Sequence, residues 1–261
     1  LVDVPKDVQF ATGNYVPTKK VRKLDLLPAK AKDKSMIDHA VDAIMKANKP
    51  ILYVGGGVIN SGPLATNLLR ELAAESNFPV TSTLMGLGCY PASGQSWLGM
   101  LGMHGTYEAN MTMHDCDLMV CIGARFDDRI TGRIDAFSPG SVKIHIDIDP
   151  SSINKNINVD IPIVGDIAEV LTEILNRWRE KGSKTNRTAV KNWWKIISKW
   201  QKIKCLNYQN SKEVIKPQYA LQRLEELTKH KDRYVTTEVG QHQMWAAQYL
   251  KFEEPNRWMT S

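Results

Sequence analysis

The stretch GARFDDRITG, residues 123–132, holds the densest group of side chains that could do chemistry. Arg125 and Arg129 follow an apolar segment and a glycine, and a guanidinium group can contact phosphate through two parallel hydrogen bonds. Asp127 and Asp128 lie between the arginines and could orient them. The same residues would also suit a surface salt-bridge cluster, which contributes little to stability. Two arginines directly after a strand favour phosphate recognition.

Three consecutive glycines, Gly55, Gly56 and Gly57, follow the apolar run ILYV at residues 51–54. Glycines after a strand allow a ligand to approach the backbone, and amide groups at a helix start can bind an anion. The dinucleotide fingerprint Gly-x-Gly-x-x-Gly is not met, because Asn60 stands at its third glycine. No carboxylate follows the next apolar segment, so a dinucleotide dehydrogenase is disfavoured. The triplet therefore suits either a tight turn or a ligand-binding loop.

Short apolar strands alternate with amphipathic helices over residues 35–182, which predicts a doubly wound α/β domain. Its sheet is expected to be mostly parallel, with helices on both faces. Ser35 is predicted to be the N-cap of the first helix, with Asp38 three residues later. The predicted strands are 51–54, 78–83, 117–123, 142–148 and 161–166, and the other predicted helices are 63–76, 105–114 and 167–180.

Ligands of open α/β sheets bind beyond the carboxyl ends of the strands. Four of the five predicted ends combine a glycine with a polar group, and the fifth offers carboxylates for a ribose hydroxyl or a metal. This row of ends predicts one extended ligand. The Gly/Met stretch LGMLGMHG, residues 98–105, is predicted to be a loop in which His104 is the titratable group. The ends are Gly55–Gly57, Thr83–Gly86, Gly123–Asp128, Asp147–Asp149 and Gly165–Asp166.

Three further segments flank the predicted domain. Residues 1–34 contain Pro5, Pro17 and Pro28 and are expected to be a linker without helix. Residues 183–233 are expected to be a basic helical linker, because residues 181–216 hold ten Lys or Arg and one acid. Its tryptophans either dock on a neighbouring domain or serve nucleic-acid binding, and the lack of a nucleic-acid motif favours docking. Residues 234–261 predict a strand, a turn at Gly240 and the start of a helix, which is the beginning of another α/β unit.

Composition and spacing exclude several classes of protein. The chain has 261 residues, of which 43% are hydrophobic and 24% charged, as in an ordinary globular protein. No apolar run approaches the roughly 18 residues of a membrane span. The four cysteines lack the spacing of a zinc site or a disulfide framework. No nucleophile–base pair is evident, so the residues themselves predict a binding module.

Five stretches carry a family resemblance: LYVGGGVINSG, STLMGLGCYP, LGMLGMHGTYEAN, GARFDDRITG and TEVGQHQMWAAQ. Together they resemble the catalytic large-subunit family of acetohydroxyacid synthases, also called acetolactate synthases. The resemblance covers nearly the whole chain and weakens in residues 183–216. It implies that residues 35–182 are the central, Rossmann-like FAD-binding domain, that residues 1–34 are an interdomain linker, and that residues 234–261 begin the thiamine diphosphate domain.

The resemblance implies an enzyme of branched-chain amino-acid synthesis. Members of the family decarboxylate pyruvate and condense the remaining unit with a second 2-ketoacid, pyruvate or 2-ketobutyrate. They use thiamine diphosphate, Mg²⁺ and an FAD that takes no part in redox chemistry. The resemblance further implies a homodimer or homotetramer with a small regulatory subunit, in the bacterial cytoplasm or a plant plastid, without nucleic-acid or membrane partners.

The resemblance also implies roles for particular residues. Gln241 and His242 would contact the phosphates of thiamine diphosphate, and Lys6, Met103 and Asp128 would line a substrate channel. The residues expected to contact FAD are Gly55, Gly56, Gly57, Thr83, Leu84, Met85, Leu101, Gly102, Met103, His104, Gly123, Ala124, Arg125, Asp127, Arg129, Asp147, Ile148, Asp166 and Ile167.

The resemblance places no catalytic or metal-binding residue in this chain. The family's catalytic glutamate would precede Leu1, and its Gly-Asp-Gly metal motif would follow Ser261. The chain alone is therefore expected to be inactive. Two alternatives stay open at this point: a stand-alone flavin- or nucleotide-binding module, and a related thiamine enzyme such as pyruvate oxidase, in which the flavin would be redox-active.

Overall fold

The structure, a computed structural model, describes residues 4–14 and 34–260. Within these residues, six strands form one parallel sheet in the order β3-β2-β1-β4-β5-β6. This arrangement confirms the predicted doubly wound α/β fold. The strands are β1 (Pro50–Val54), β2 (Val80–Ser82), β3 (Trp97–Met100), β4 (Leu118–Ile122), β5 (Val142–Asp147) and β6 (Ile161–Val164).

Helices cover both faces of the sheet. The described helices of this part of the chain are α1 (Lys6–Phe10), α2 (Lys34–Lys46), α3 (Gly56–Asn60), α4 (Pro63–Ser76), α5 (Tyr107–Asp115), α6 (Asp128–Thr131), α7 (Ile167–Glu180) and α8 (Arg187–Gln201). Helices α2, α4 and α7 contribute to one buried cluster, and α5 and α8 contribute to the other.

The central strands are buried on both faces because their side chains alternate between the two clusters. In β1, Leu52 and Val54 face the cluster of α2, α4 and α7, whereas Ile51 and Tyr53 face that of α5 and α8. A parallel strand that is covered on both faces is a continuous run of apolar residues. The run ILYV therefore predicts a strand although apolar and polar residues do not alternate in it. The ends of the strands are therefore the parts of the sheet that are left for a ligand.

Helix α8, within the predicted basic linker, packs directly on the sheet domain. Trp193 is 1% exposed, and its indole Nε1 donates a hydrogen bond to the Pro50 carbonyl at 3.0 Å. Ile197 is fully buried in the same cluster, while Lys191, Lys195 and Lys199 are exposed. The aromatic face therefore docks on the α/β domain, and the lysines face solvent.

Strand β3 corrects the prediction of a loop over residues 98–105. Trp97–Met100 pairs in parallel with β2, and the register shifts between Val80 and Ser82. Gly99 has a φ of +92° at this irregularity, a conformation that favours glycine. The strand therefore contains glycine and resembles a loop in its sequence. Only Leu101–Gly105 forms the predicted connection.

Two expectations for the amino-terminal part are also corrected. Helix α2 begins at Lys34, so Ser35 lies inside the helix and is not its N-cap. Helix α1 follows Pro5, where proline fits a helix start, although no helix was expected there. Residues 1–3 and 15–33 of the predicted linker lie outside the described residues.

The last part of the chain packs against the β3 side of the sheet. It contains α9 (Pro217–Thr228), β7 (Val235–Thr237), α10 (Gln241–Tyr249) and β8 (Trp258–Thr260), and β7 pairs in parallel with β8. Leu250, Phe252 and Trp258 form a buried cluster with Leu87 and Met100. Over residues 4–14 and 34–260, no helix is long and apolar enough to cross a membrane.

Two adjacent isoleucines of α8 test its docking. Ile197 is 0% exposed and Ile196 is 37% exposed, so the same substitution probes the two sides of one helix. We expect Ile197→Ala to lower the free energy of unfolding by about 2–5 kcal/mol, because it opens a cavity. Ile196→Ala should change it by less than about 0.5 kcal/mol. Urea unfolding of both variants measures the difference, and equal effects would contradict the docking.

Candidate functional site

The candidate site lies where β1 and β4 are neighbours in the sheet. From β1 the chain continues outward through β2 and β3, whereas β4, β5 and β6 extend the sheet in the other direction. Ligands of such sheets bind in the crevice at this switch point, beyond the carboxyl ends of the strands. We call the loops that follow β1, β2, β4 and β5 the strand-end edge.

The glycine triplet packs against the loop that follows β4. The amide of Gly57 donates a hydrogen bond to the Gly123 carbonyl at 2.9 Å. A Cβ on Gly55 would lie 2.3 Å from the Gly123 carbonyl oxygen, and one on Gly57 would lie 2.7 Å from the Gly123 Cα. A Cβ on Gly56 would meet Met85 at 3.2 Å. Gly55 and Gly57 are therefore needed for the close contact between the two backbones. The predicted contact of the triplet with a cofactor stays a prediction.

The loop after β4 presents charged side chains at the strand-end edge. Arg125 forms an ion pair with Asp127 at 2.9 Å, and both side chains are exposed to solvent. Asp128 is the first residue of the short helix α6, and Arg129 is the second. Across residues 4–14 and 34–260, Arg129 has no ion-pair partner, so its guanidinium is available to an anion. Ala124 and Gly123 form the inner part of this loop, and Ala124 is buried.

A buried histidine lies beneath this loop. The Nε2 atom of His145 is 2.9 Å from the Ala124 carbonyl, which identifies this nitrogen as the donor. Burial lowers the pKa of His145 below its usual 6.5, and Asp147 partly opposes this effect. The unfolded chain therefore binds more protons below about pH 6.5. The stability that neutral His145 contributes is lost as the pH falls below that value.

The loop after β2 offers one capped turn and one exposed methionine. The Thr83 hydroxyl accepts a hydrogen bond from the Gly86 amide at 3.1 Å, which caps a short 3₁₀ turn. Leu84 is partly buried against the cluster near α10, whereas Met85 is 53% exposed. Of this group, Met85 is the side chain free to contact a ligand.

The predicted residues after β5 and β6 divide into exposed and structural ones. Ile148 is exposed, and Asp147 lies beside it at the end of β5. The Asp166 carboxylate caps α7 by accepting from the Ala168 amide at 2.9 Å, and it also accepts from the Ser61 hydroxyl. Ile167 is buried against Gly123. Asp166 and Ile167 thus have structural roles, and their predicted contact with FAD stays a prediction.

A cleft of about 580 Å³ lies between the strand-end edge and α10. Six of its lining residues are expected from the sequence to contact a cofactor: Leu84, Leu101, Met103, His104, Arg129 and Gln241. The other lining residues are Met100, Ile130, Val239, Gly240, Gln243 and Met244. The cleft therefore brings residues expected for FAD together with one expected for thiamine diphosphate. The other lining residues lie in the stretches LGMLGMHG, GARFDDRITG and TEVGQHQMWAAQ, but most are apolar or glycine and none is expected from the sequence to contact a cofactor.

The loop Leu101–Gly105 is fixed at the mouth of this cleft. The Asn110 side chain accepts from the Gly102 amide at 2.8 Å and donates to the Gly102 carbonyl at 2.9 Å. The Met103 amide donates to the Arg129 carbonyl at 2.9 Å, and the His104 carbonyl accepts from Gln248. These bonds connect the loops after β3 and β4 with α10.

Three other predicted residues lie outside the cleft lining. Lys6 is exposed on α1, where its Nζ atom lies 5.9 Å from the centre of the Phe10 ring. Asp128 is exposed on α6, and His242 is exposed in the first turn of α10. In the part of the chain that the structure describes, none of the three lines the cleft that Met103 and Gln241 share.

The sequence matches a family described as thiamine pyrophosphate enzyme, central domain, over residues 37–174. The chain belongs to this family. The matched residues include all six strands of the parallel sheet and more than half of the chain. The strand-end edge is therefore part of the family's domain, and α10 follows the matched residues.

Curated relatives extend the similarity to the whole chain. It is 43% identical to the acetolactate synthase isozyme 3 large subunit of Escherichia coli K12, over 100% of this chain and 45% of that protein. The acetolactate synthase large subunit of Haemophilus influenzae is 44% identical over 100% of this chain and 45% of that protein. The acetolactate synthase of Mycobacterium leprae is 40% identical over 100% of this chain and 41% of that protein. This chain thus spans less than half the length of these relatives.

The contact between the loops after β1 and β4 predicts a stability effect. Gly57→Ala would place a Cβ 2.7 Å from the Gly123 Cα, whereas nothing lies within 4 Å of a Cβ on Gly140. We expect Gly57→Ala to lower the free energy of unfolding by about 1–3 kcal/mol, although alanine favours helices. Gly140→Ala is the matched control and should be nearly neutral. Thermal unfolding compares them, and equal stabilities would contradict the close contact.

Proposed function

We propose that this chain is part of the large subunit of an acetolactate synthase. The whole enzyme would decarboxylate pyruvate and join the remaining unit to a second 2-ketoacid, pyruvate or 2-ketobutyrate. The observation that carries the proposal is 43% identity to the Escherichia coli large subunit along this entire chain, including the strand-end edge and α10. A family match to the central domain of thiamine enzymes supports the same class of chemistry.

We further propose that the strand-end edge binds FAD. The guanidinium of Arg129, which has no ion-pair partner among residues 4–14 and 34–260, and the exposed Arg125 suit a diphosphate. Met85, Met103 and Ile148 are each more than half exposed, and such apolar side chains suit the flat rings of a flavin and an adenine. The donor set and the apolar side chains therefore fit a molecule that has two ring systems and a phosphate bridge.

One buried group also supports a ligand at this edge. Ser82 is the last residue of β2, and its hydroxyl is buried without a hydrogen-bond partner among the described residues. An unsatisfied buried hydroxyl is costly, and a bound polar molecule can offset this cost. The FAD would serve as a structural element of the site rather than as an electron carrier.

For thiamine diphosphate, the cleft between the strand-end edge and α10 is the proposed location. Gln241 lines this cleft and His242 is adjacent to it in the first turn of α10, so both would contact the diphosphate. When bound, this cofactor supplies the carbon nucleophile for decarboxylation. The protein's own residues would orient the cofactor and exclude water, while the catalytic glutamate and the Mg²⁺ ligands would belong to other parts of the enzyme.

The remaining assignments are proposals from the same resemblance. Met103 lies at the cleft and would line the substrate channel, which Lys6 and Asp128 would complete. The proposed assembly is a homodimer or homotetramer with a small regulatory subunit, in the bacterial cytoplasm or a plant plastid. The chain by itself would form no acetolactate.

Arg129 gives a direct test of flavin binding. We expect this chain to quench FAD fluorescence in a saturable titration. Arg129→Gln should weaken binding roughly 10- to 100-fold, because it removes a charge-assisted hydrogen bond. Arg133→Gln is the control. Arg133 is an exposed arginine four residues after Arg129, and it forms an ion pair with Asp135 at 3.0 Å. It should leave FAD affinity unchanged.

Two results would contradict the flavin proposal. One is the absence of quenching by the unaltered chain at any FAD concentration. The other is equal affinity in Arg129→Gln and Arg133→Gln, which would show that the phosphates do not contact Arg129. Bleaching of bound flavin by pyruvate in the whole enzyme would instead indicate a redox-active flavin, as in pyruvate oxidase.

A further inference from the structure

Three consecutive carbonyl groups of the loop after β4 each accept a hydrogen bond from a different side chain. The Ala124 carbonyl accepts from Nε2 of His145 at 2.9 Å, and the Arg125 carbonyl accepts from the Tyr53 hydroxyl at 2.9 Å. The Phe126 carbonyl accepts from Nδ2 of Asn156 at 2.7 Å. Three side-chain donors thus hold the carbonyls of three consecutive residues, and they fix the backbone of this loop.

The donors come from three separate parts of the fold. Tyr53 lies on β1, His145 lies on β5, and Asn156 lies in the connection to β6. The Phe126 ring packs between them, with its centre 5.8 Å from that of Tyr53 and 5.0 Å from that of His145. The loop is therefore held from both neighbours of β4.

Rearranging the loop would be costly because two of the three donors, Tyr53 and His145, are buried, while Asn156 is exposed. Tyr53 and His145 are both 0% exposed, so neither could exchange its loop partner for water. A buried hydroxyl or ring N–H that loses its acceptor destabilises the fold. With three carbonyls bonded in this way, the side chains of Arg125 and Asp127 are left exposed and paired at 2.9 Å.

We propose that Tyr53, His145 and Asn156 are positioning residues that preorganise Arg125 and Asp127 for the ligand of the strand-end edge. We call these three residues the carbonyl clamp. Holding a binding loop in one conformation removes an entropy cost that would otherwise weaken binding. The inference rests on the proposed FAD site, and it adds three residues that act on the site through the loop backbone.

Tyr53→Phe removes one clamp hydroxyl and keeps the ring. Tyr249→Phe is the matched control, because the Tyr249 hydroxyl also donates to a backbone carbonyl, that of Leu206, at 2.7 Å. We expect Tyr53→Phe to raise the dissociation constant of FAD roughly fivefold, the equivalent of one hydrogen bond. Tyr249→Phe should leave it unchanged even if both variants lose similar thermal stability. Equal FAD affinity in the two variants would overturn the clamp.

A second measurement requires no ligand. The peptide bond after Arg125 leads into Phe126, which is 4% exposed, so trypsin can cut there only when the loop opens. In FAD-free chain, Tyr53→Phe should release the Phe126 terminus roughly fivefold faster than the unaltered chain, and Tyr249→Phe should not. Mass spectrometry of the fragments gives these rates. An unchanged rate in Tyr53→Phe overturns the clamp whether or not FAD binds.

The two measurements separate this inference from the proposed function. If the unaltered chain binds no FAD but Tyr53→Phe opens the loop faster, the clamp is supported and the flavin site is overturned. His145 provides a further comparison. His145→Gln keeps an N–H donor and should retain more FAD affinity and a slower cleavage rate than His145→Leu. Equal behaviour of these two variants would show that His145 acts through packing alone.

Discussion

The arrangement of this protein depends on one backbone contact at the switch point of the sheet. Gly55 and Gly57 allow the loop after β1 to reach the loop after β4, where the amides of Gly55 and Gly57 donate to the Ile122 and Gly123 carbonyls at 3.0 and 2.9 Å. Side chains at these glycines would overlap Gly123 or Ala124. The contact holds the two loops together at the switch point of the sheet.

The rest of the fold covers the faces of the sheet and leaves its strand ends accessible, including the strand-end edge. Helices cover both faces, and β1 and β4 have no exposed side chains. Buried donors from neighbouring strands fix the loop after β4, and the cleft toward α10 begins beside it. The same construction therefore supports an extended flavin at the strand ends and a second cofactor at the cleft, as the proposed function requires.

Sequence reasoning predicts the strands that are buried on both faces, because such strands read as unbroken apolar runs. It misses β3, whose Gly99 has a positive φ at a bulge. It also misses the carbonyl clamp, although Tyr53 and His145 are unusual polar residues inside apolar strands. Their partners could not be predicted, because Tyr53 and Arg125 are 72 positions apart and meet only through strand pairing.

Hydrogen exchange with and without FAD tests the central claim that the strand-end edge is the ligand site. Added FAD should slow amide exchange in the loops after β1, β2, β4 and β5, including residues 123–131. The opposite edge of the sheet, where Asp117 binds the Asn48 and Lys49 amides at 2.8 Å, should exchange as before. Protection confined to that opposite edge, or none at saturating FAD, would show that FAD does not bind at the strand-end edge.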